Sequence, residues 1–276
     1  MQKLFQGLLL LIALITVSCS SEAPANKMGT PEYFWSGANQ TFGMKDYAKT
    51  ADHLENLTKT DNQFTSQGFP FRLILLSGLS EGYAGLADNL DEGSKANRGM
   101  LTTFRKHVMD ARRQANVYAL QFAQAVETFE KRPKTDTITI VMPMPAGSTV
   151  ESFQETQLEK GILKAPADVE AARSKALDRY ILLSLCRALG AKDDSAKAQQ
   201  MMQGGKADVP RAVFMTALAT SLYNASDIYT QKKLDTPNRV EFLTKHALDS
   251  LDGLPDSKDI KDLKKKIADR EKKSKK

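Results

Sequence analysis

Five side chains in this sequence could carry chemistry on their own: His53, His107 and His246, and the two cysteines, Cys19 and Cys186. A zinc site needs three or four His, Cys or carboxylate ligands at short, characteristic spacings. The three histidines fall instead on three different predicted helices, with only scattered acids near them. A lone histidine beside an apolar helix seam is read as structural. Gly204-Gly205-Lys206 is not a phosphate loop, because the spaced first glycine and the Ser or Thr after lysine are missing. The chain is read as carrying no H-E-x-x-H pair, no serine elbow and no Gly-rich nucleotide loop. These readings predict a protein that is not an enzyme and holds no metal and no cofactor.

Cys19 differs from the rest in what precedes it. Lys3 gives a positive start, and Leu4 to Val17 form an apolar run broken only by Gln6, Gly7 and Thr16. Ser18, a small residue, stands just before the cysteine. A basic start, a short apolar core and a small residue at its end mark a secretory signal. A membrane span needs about 20 apolar residues, and this run is shorter. Residues 1–18 are therefore read as a signal peptide. The segment Ile15-Thr16-Val17-Ser18-Cys19 resembles the lipobox of bacterial lipoproteins, with Thr16 where that family prefers Leu. The resemblance covers the leader alone. It implies that Cys19 is the lipidation site: its thiol takes an acyl chain of the palmitate kind and the residue becomes the mature N-terminus. It also implies a cell-envelope protein, anchored in a membrane through that lipid. In such lipoproteins Asp after the cysteine favours the inner membrane. Ser20 stands there instead, so the periplasmic face of the outer membrane is favoured.

With Cys19 acylated, Cys186 has no partner in the chain, and a disulfide framework is excluded. Cys186 is read as a small buried apolar residue. The 276 residues are 41% hydrophobic and 26% charged, a globular balance large enough for one or two domains. The net charge of +6 is concentrated at the end. Residues 256–276 hold nine Lys and one Arg against four Asp and one Glu, and Lys3 adds one positive charge in the leader. The body between is neutral, which argues against a nucleic-acid partner, since such proteins carry their charge on a folded face. The basic tail is read as a solubilising, partly disordered end, or as a segment attracted to anionic lipid or to peptidoglycan. Lys276 is a terminal lysine of the kind that joins small helical lipoproteins to peptidoglycan.

Periodicity and caps organise the rest. Residues 19–29 form a lipidated tether. Thr30-Pro31 opens a helical half over 30–132. Two short helices, Pro31–Gly43 and Asp46–Lys59, meet at a turn near Met44-Lys45. This pair resembles a tetratricopeptide unit in Phe34, Ala38, the turn with Asp46-Tyr47, and Leu54; Gly37, Thr41 and Thr50 depart from that pattern. Gln63–Pro70 reads as a polar loop. Phe71–Leu90 reads as a helix carrying Gly78, Gly82 and Gly85, each costing roughly 1 kcal/mol against Ala. Three such glycines predict that another helix packs very close. Leu101, Phe104, Val108, Ala111, Ala115, Tyr118, Phe122, Ala125 and Phe129 form one unbroken seam at steps of three and four, the mark of a long core helix.

Residues 133–165 change character. Thr137–Met142 is β-branched and Pro143-Met144-Pro145 forbids a helix, so a small β-strap is expected, with Gly161–Lys164 as its second strand. Ile138, Ile140 and Met142 either cover the helical core or form an apolar docking surface. Glu151-Ser152 resembles the Glu-Ser start of lytic transglycosylases, without the surrounding motifs. A second helical half follows over 166–255: Pro166–Leu189 capped by Gly190, Asp194–Gln203, Asp208 to about Gln231, and Thr236–Leu251. A basic tail helix spans 256–276, with Ile260, Leu263 and Ile267 as a thin apolar stripe. The expected fold is all-α: stacked antiparallel helical hairpins, tetratricopeptide-like and irregular, around a small β-strap. The body is similar to tetratricopeptide-type lipoproteins, including the T component associated with TRAP transporters. That resemblance implies a non-catalytic scaffold or adaptor for another envelope protein. The alternative is a small apolar ligand held between the halves near Gly78, Gly82 and Tyr83.

Overall fold

The computed structural model describes residues 27–96, 99, 101–145, 166–230 and 237–274. The leader, Cys19, most of the tether, Glu151-Ser152 and the expected strand at Gly161–Lys164 lie outside those residues.

Among the described residues the chain folds as an all-α body with one two-stranded antiparallel sheet. Helix α1 (Pro31–Gly43) starts where Thr30 accepts the Tyr33 N–H and Pro31 needs no donor. Lys45 turns the chain in the left-handed region, at φ 60°, and Asp46 caps α2 (Tyr47–Thr58) by accepting the Lys49 N–H. Ala38, Phe42, Leu54 and Leu57 bury the inner face of this hairpin.

Helix α3 (Thr65–Ala96) is the hub. It packs against α2, against α4 (Leu101–Glu130), against α5 (Pro166–Ala188) and against the sheet. It begins five residues before Pro70, in the stretch whose Gly68 and Pro70 read as a loop. Two facts explain that correction. Asn62 accepts the Phe64 N–H and Thr65 accepts the Asn62 N–H, so the entry is capped by side chains. Burial of Phe69 and Phe71 then offsets the backbone bond that Pro70 cannot make. The α4 seam is buried as its period predicts: Phe104, Val108, Ala111, Ala115, Tyr118, Phe122, Ala125 and Phe129 all face inward, mainly onto α3.

The strap is β1 (Thr137–Val141) paired with β2 (Lys206–Pro210), with Ile138 opposite Val209 and Ile140 opposite Ala207. Among the described residues the strand paired with β1 is thus Lys206–Pro210, a stretch that reads as the gap after one helix and the start of the next. The alternation in Lys206–Pro210 is real: Ala207 and Val209 are buried while Lys206, Asp208 and Pro210 are exposed. Ile138, Ile140 and Met142 are buried, so the strap covers the core and presents no apolar docking face of its own.

Helix α5 ends at a left-handed Gly190, φ +69°. The short α6 (Ser195–Met201), capped by Asp194, leads to β2. Helix α7 (Arg211–Ala225) runs into a 3-10 turn, Ser226–Tyr229. Helices α8 (Pro237–Ser250) and α9 (Lys258–Ser274) complete the body. Helix α9 is docked: Ile260, Leu263 and Ile267 are buried, and it packs on α7 and α8. Helix lengths run from 7 residues in α6 to 32 in α3, so the hairpins form no repeat of constant size.

Candidate functional site

The three glycines of α3 do what their number implies. A Cβ on Gly78 would stand 2.5 Å from the Ile181 Cα, and one on Gly82 3.0 Å from a Leu177 methyl. The α3 and α5 backbones touch there, and no chamber separates the halves at Gly78 or Gly82. At Gly85 the neighbour is different: the Tyr180 ring, with its hydroxyl 2.6 Å from where a Cβ would be. Beyond that ring the elements part and leave a cleft of about 260 Å³.

This cleft is built by α3, α4, α5, the end of α7, the 3-10 turn and α9. Its lining includes Glu81, Asp88, Arg112, Tyr180, Asp227 and Arg270. Arg187 clamps Glu81 with two bonds of 2.7 Å and reaches Ser221 at 3.0 Å. Burial alone would lower the Arg187 guanidinium, but the Glu81 carboxylate outweighs it and holds the group above its ordinary value. Asn224 donates to the same carboxylate at 3.4 Å. On the far wall Arg270 lies 3.8 Å over the Tyr223 ring, donates to the Tyr223 carbonyl at 2.6 Å, and pairs with Asp227 at 3.2 Å. Burial raises the Tyr180 hydroxyl, so it is neutral at physiological pH and available as a hydrogen-bond donor. The charged walls are thus held by one another, and the Arg112 Nε is buried without a hydrogen-bond partner among the described residues.

A second and larger groove, about 580 Å³, lies at the strap. The C-terminal ends of α4 and α8, the loop before β1 and the start of α7 enclose it. Glu130, Asp136, Asp249 and Asp252 line it against Lys134 and Arg211. Ser250 donates to Glu130 at 2.5 Å, and burial raises the Glu130 carboxyl above its ordinary range. Arg132 bridges from this end of α4 to Asp61 at 2.5 Å. Glu130 lies 18 residues along α4 from Arg112, which separates the two openings by about 27 Å.

The residues singled out in the sequence do not converge. The His53 ring packs against Tyr33, 5.7 Å between centroids, and fills the space over Gly37. His246 meets Phe242 edge-on at 4.6 Å. Cys186 is buried, and burial pushes its thiol up to about 11, so it is inert at neutral pH. Among the described residues no three His, Cys, Asp or Glu side chains stand together as a metal site. Among them, too, no helix is long and apolar enough to cross a membrane.

One motif escaped the sequence reading. Gly78-Leu79-Ser80-Glu81-Gly82 has the G-x-S-x-G spacing of a nucleophile elbow. That motif works only on a strand-to-helix turn. Here it lies inside α3, where Ser80 is fully buried and donates to the Ala115 carbonyl at 3.5 Å. Its glycines serve packing. Both clefts are also invisible in the sequence, because distant segments meet there, as Glu81 and Arg187 do from 106 positions apart. The Lys45 and Tyr47 side chains likewise meet on Asp178, which pins the first hairpin to α5. Compared with protein-family models, curated proteins and solved structures, the chain matches none.

Proposed function

We propose that this is a lipid-anchored envelope protein, acylated at Cys19 and favoured at the periplasmic face of the outer membrane. Its helical body acts as a non-catalytic scaffold for another envelope protein. The observation that carries this reading is the open, polar groove at the strap. Its walls are helix ends and a short sheet fixed to the core, and they offer charged side chains to a passing polypeptide segment. Rigid walls limit the ordering cost of binding. The tetratricopeptide-like character of the first hairpin belongs to the same proposal.

The alternative, a small apolar ligand between the halves, draws less support. Ile181 and Leu177 occupy the space at Gly78 and Gly82, and the nearby 260 Å³ cleft is lined by charged groups.

Affinity purification from detergent-solubilised membranes tests the scaffold. A stoichiometric protein partner is expected with the native chain. It should be lost with the double variant Arg211→Glu, Asp249→Lys, which alters the groove's charge pattern. Recovery of the protein alone, carrying a small molecule, would overturn the scaffold in favour of the alternative.

A further inference from the structure

The charge of this chain is not spread over its surface. The net positive charge is concentrated in residues 256–276, and α9, which makes up most of that stretch, is a docked element. Ile260, Leu263 and Ile267 bury its inner stripe, and Arg270 turns inward onto Tyr223, Ser226 and Asp227. Glu271 joins that inner side by accepting a 2.8 Å bond from Thr244. With the stripe fixed, helical geometry places Lys258, Lys261, Lys265 and Lys272 in one row on the outer side, at the steps of three, four and seven that align on a helix. The 268 position on that side is alanine; Asp262 and Asp269 border the row on one flank, and Lys261 pairs with Asp256 at 3.2 Å, so the row keeps a smaller net positive charge. Lys266 and Lys273 lie on the other flank, each four residues after an acid, Asp262 and Asp269. The inward cation is the arginine, whose planar fork suits fixed partners. The outward ones are lysines, strongly hydrated point charges that suit a diffuse anionic surface.

We infer that this lysine row is a second membrane contact, seated on anionic lipid headgroups. The inference rests on the lipid-anchored reading, which puts a bilayer within reach: the eleven residues from Cys19 to Thr30 span at most about 40 Å. The remainder of the body has no net charge, so the row is placed to set which face turns to the bilayer. The acyl chain holds the protein at the membrane and the row orients it, leaving the strap groove free for a partner.

The test uses the mature chain carrying Cys19→Ala, so that any vesicle binding comes from the polypeptide. It should sediment with vesicles rich in phosphatidylglycerol and not with phosphatidylcholine vesicles. It should be released as salt rises from about 0.1 M to about 1 M, where the screening length falls from about 10 Å to about 3 Å. The exposed quadruple variant Lys258→Gln, Lys261→Gln, Lys265→Gln, Lys272→Gln should keep its thermal unfolding midpoint and lose at least about tenfold in binding. The pair Lys261→Gln, Lys265→Gln should weaken binding more than the pair Lys266→Gln, Lys273→Gln. No binding to anionic vesicles overturns the inference. So does equal loss from the two pairs, or retention on purified peptidoglycan in place of vesicles. An unacylated Cys19 in the native protein is read separately, by mass, and would overturn the anchor instead.

Discussion

Helices α3 and α5 meet in two different ways within about 10 Å of their length. At Gly78 the backbones touch, beside a buried hydrogen bond of 2.8 Å from the Ser184 hydroxyl to Ser77. By Gly85 the Tyr180 ring lies against the helix, and a charged cleft opens behind it. The contrast shows how one helix pair can both close a core and frame a site. Missing Cβ atoms decide the first, and one aromatic side chain with a buried ion pair decides the second. The dry end depends on shape and tolerates no added volume. The open end depends on charges that hold one another in place.

Removing one partner of the buried pair should have the largest effect. Glu81→Ala leaves the Arg187 guanidinium buried without its carboxylate, at a cost of about 3–5 kcal/mol in denaturant unfolding. A loss below about 1 kcal/mol would mean that water already screens the pair. At the dry end, Gly78→Ala forces a methyl into the Ile181 backbone. The gain in helix propensity is about 1 kcal/mol, yet the net result should be a loss of about 2 kcal/mol. Unchanged stability would show that the helices do not meet as described.

Glu130, at the other groove, gives a smaller and pH-dependent effect. Its folded pKa is raised by burial, so the native state holds a proton more tightly than the unfolded chain. Its contribution to stability is therefore full below the unfolded pKa and falls as pH rises through the raised folded value. Glu130→Gln keeps an acceptor for Ser250 and should stabilise the protein by under about 1 kcal/mol at pH 8, with no gain at pH 4. Stabilisation at pH 4 alone would reverse the sign and refute the burial argument. Gly85→Ala should change least, within about 0.5 kcal/mol, because the Tyr180 hydroxyl end can swing away while the helix gains propensity. A loss as large as that of Gly78→Ala would erase the distinction between the two ends.

The elements that were legible in the sequence are those whose cause is local. Thr30, Asp46 and Asp194 cap helices because their side chains reach N–H groups three residues on. The α4 seam shows because one face repeats through the whole helix. The α3 glycines foretold a close neighbour, though not which one. The start of α3 is not legible because Gly68 and Pro70 carry a strong loop signal, which the burial of Phe69 and Phe71 overrides. Strand β2 was hidden because five residues pair with a partner 69 positions away, as Thr139 and Asp208 do. The two clefts could not be read for the same reason: each is a meeting of distant segments.

The proposed membrane anchor depends on Cys19. Intact-mass measurement of the protein purified from the membrane fraction tests it directly. The predicted result is a chain that begins at Cys19 and carries acyl chains, with Cys19→Ala released from membranes in high salt. An unmodified terminus, or a Cys19→Ala protein that stays on the membrane under that wash, would contradict it.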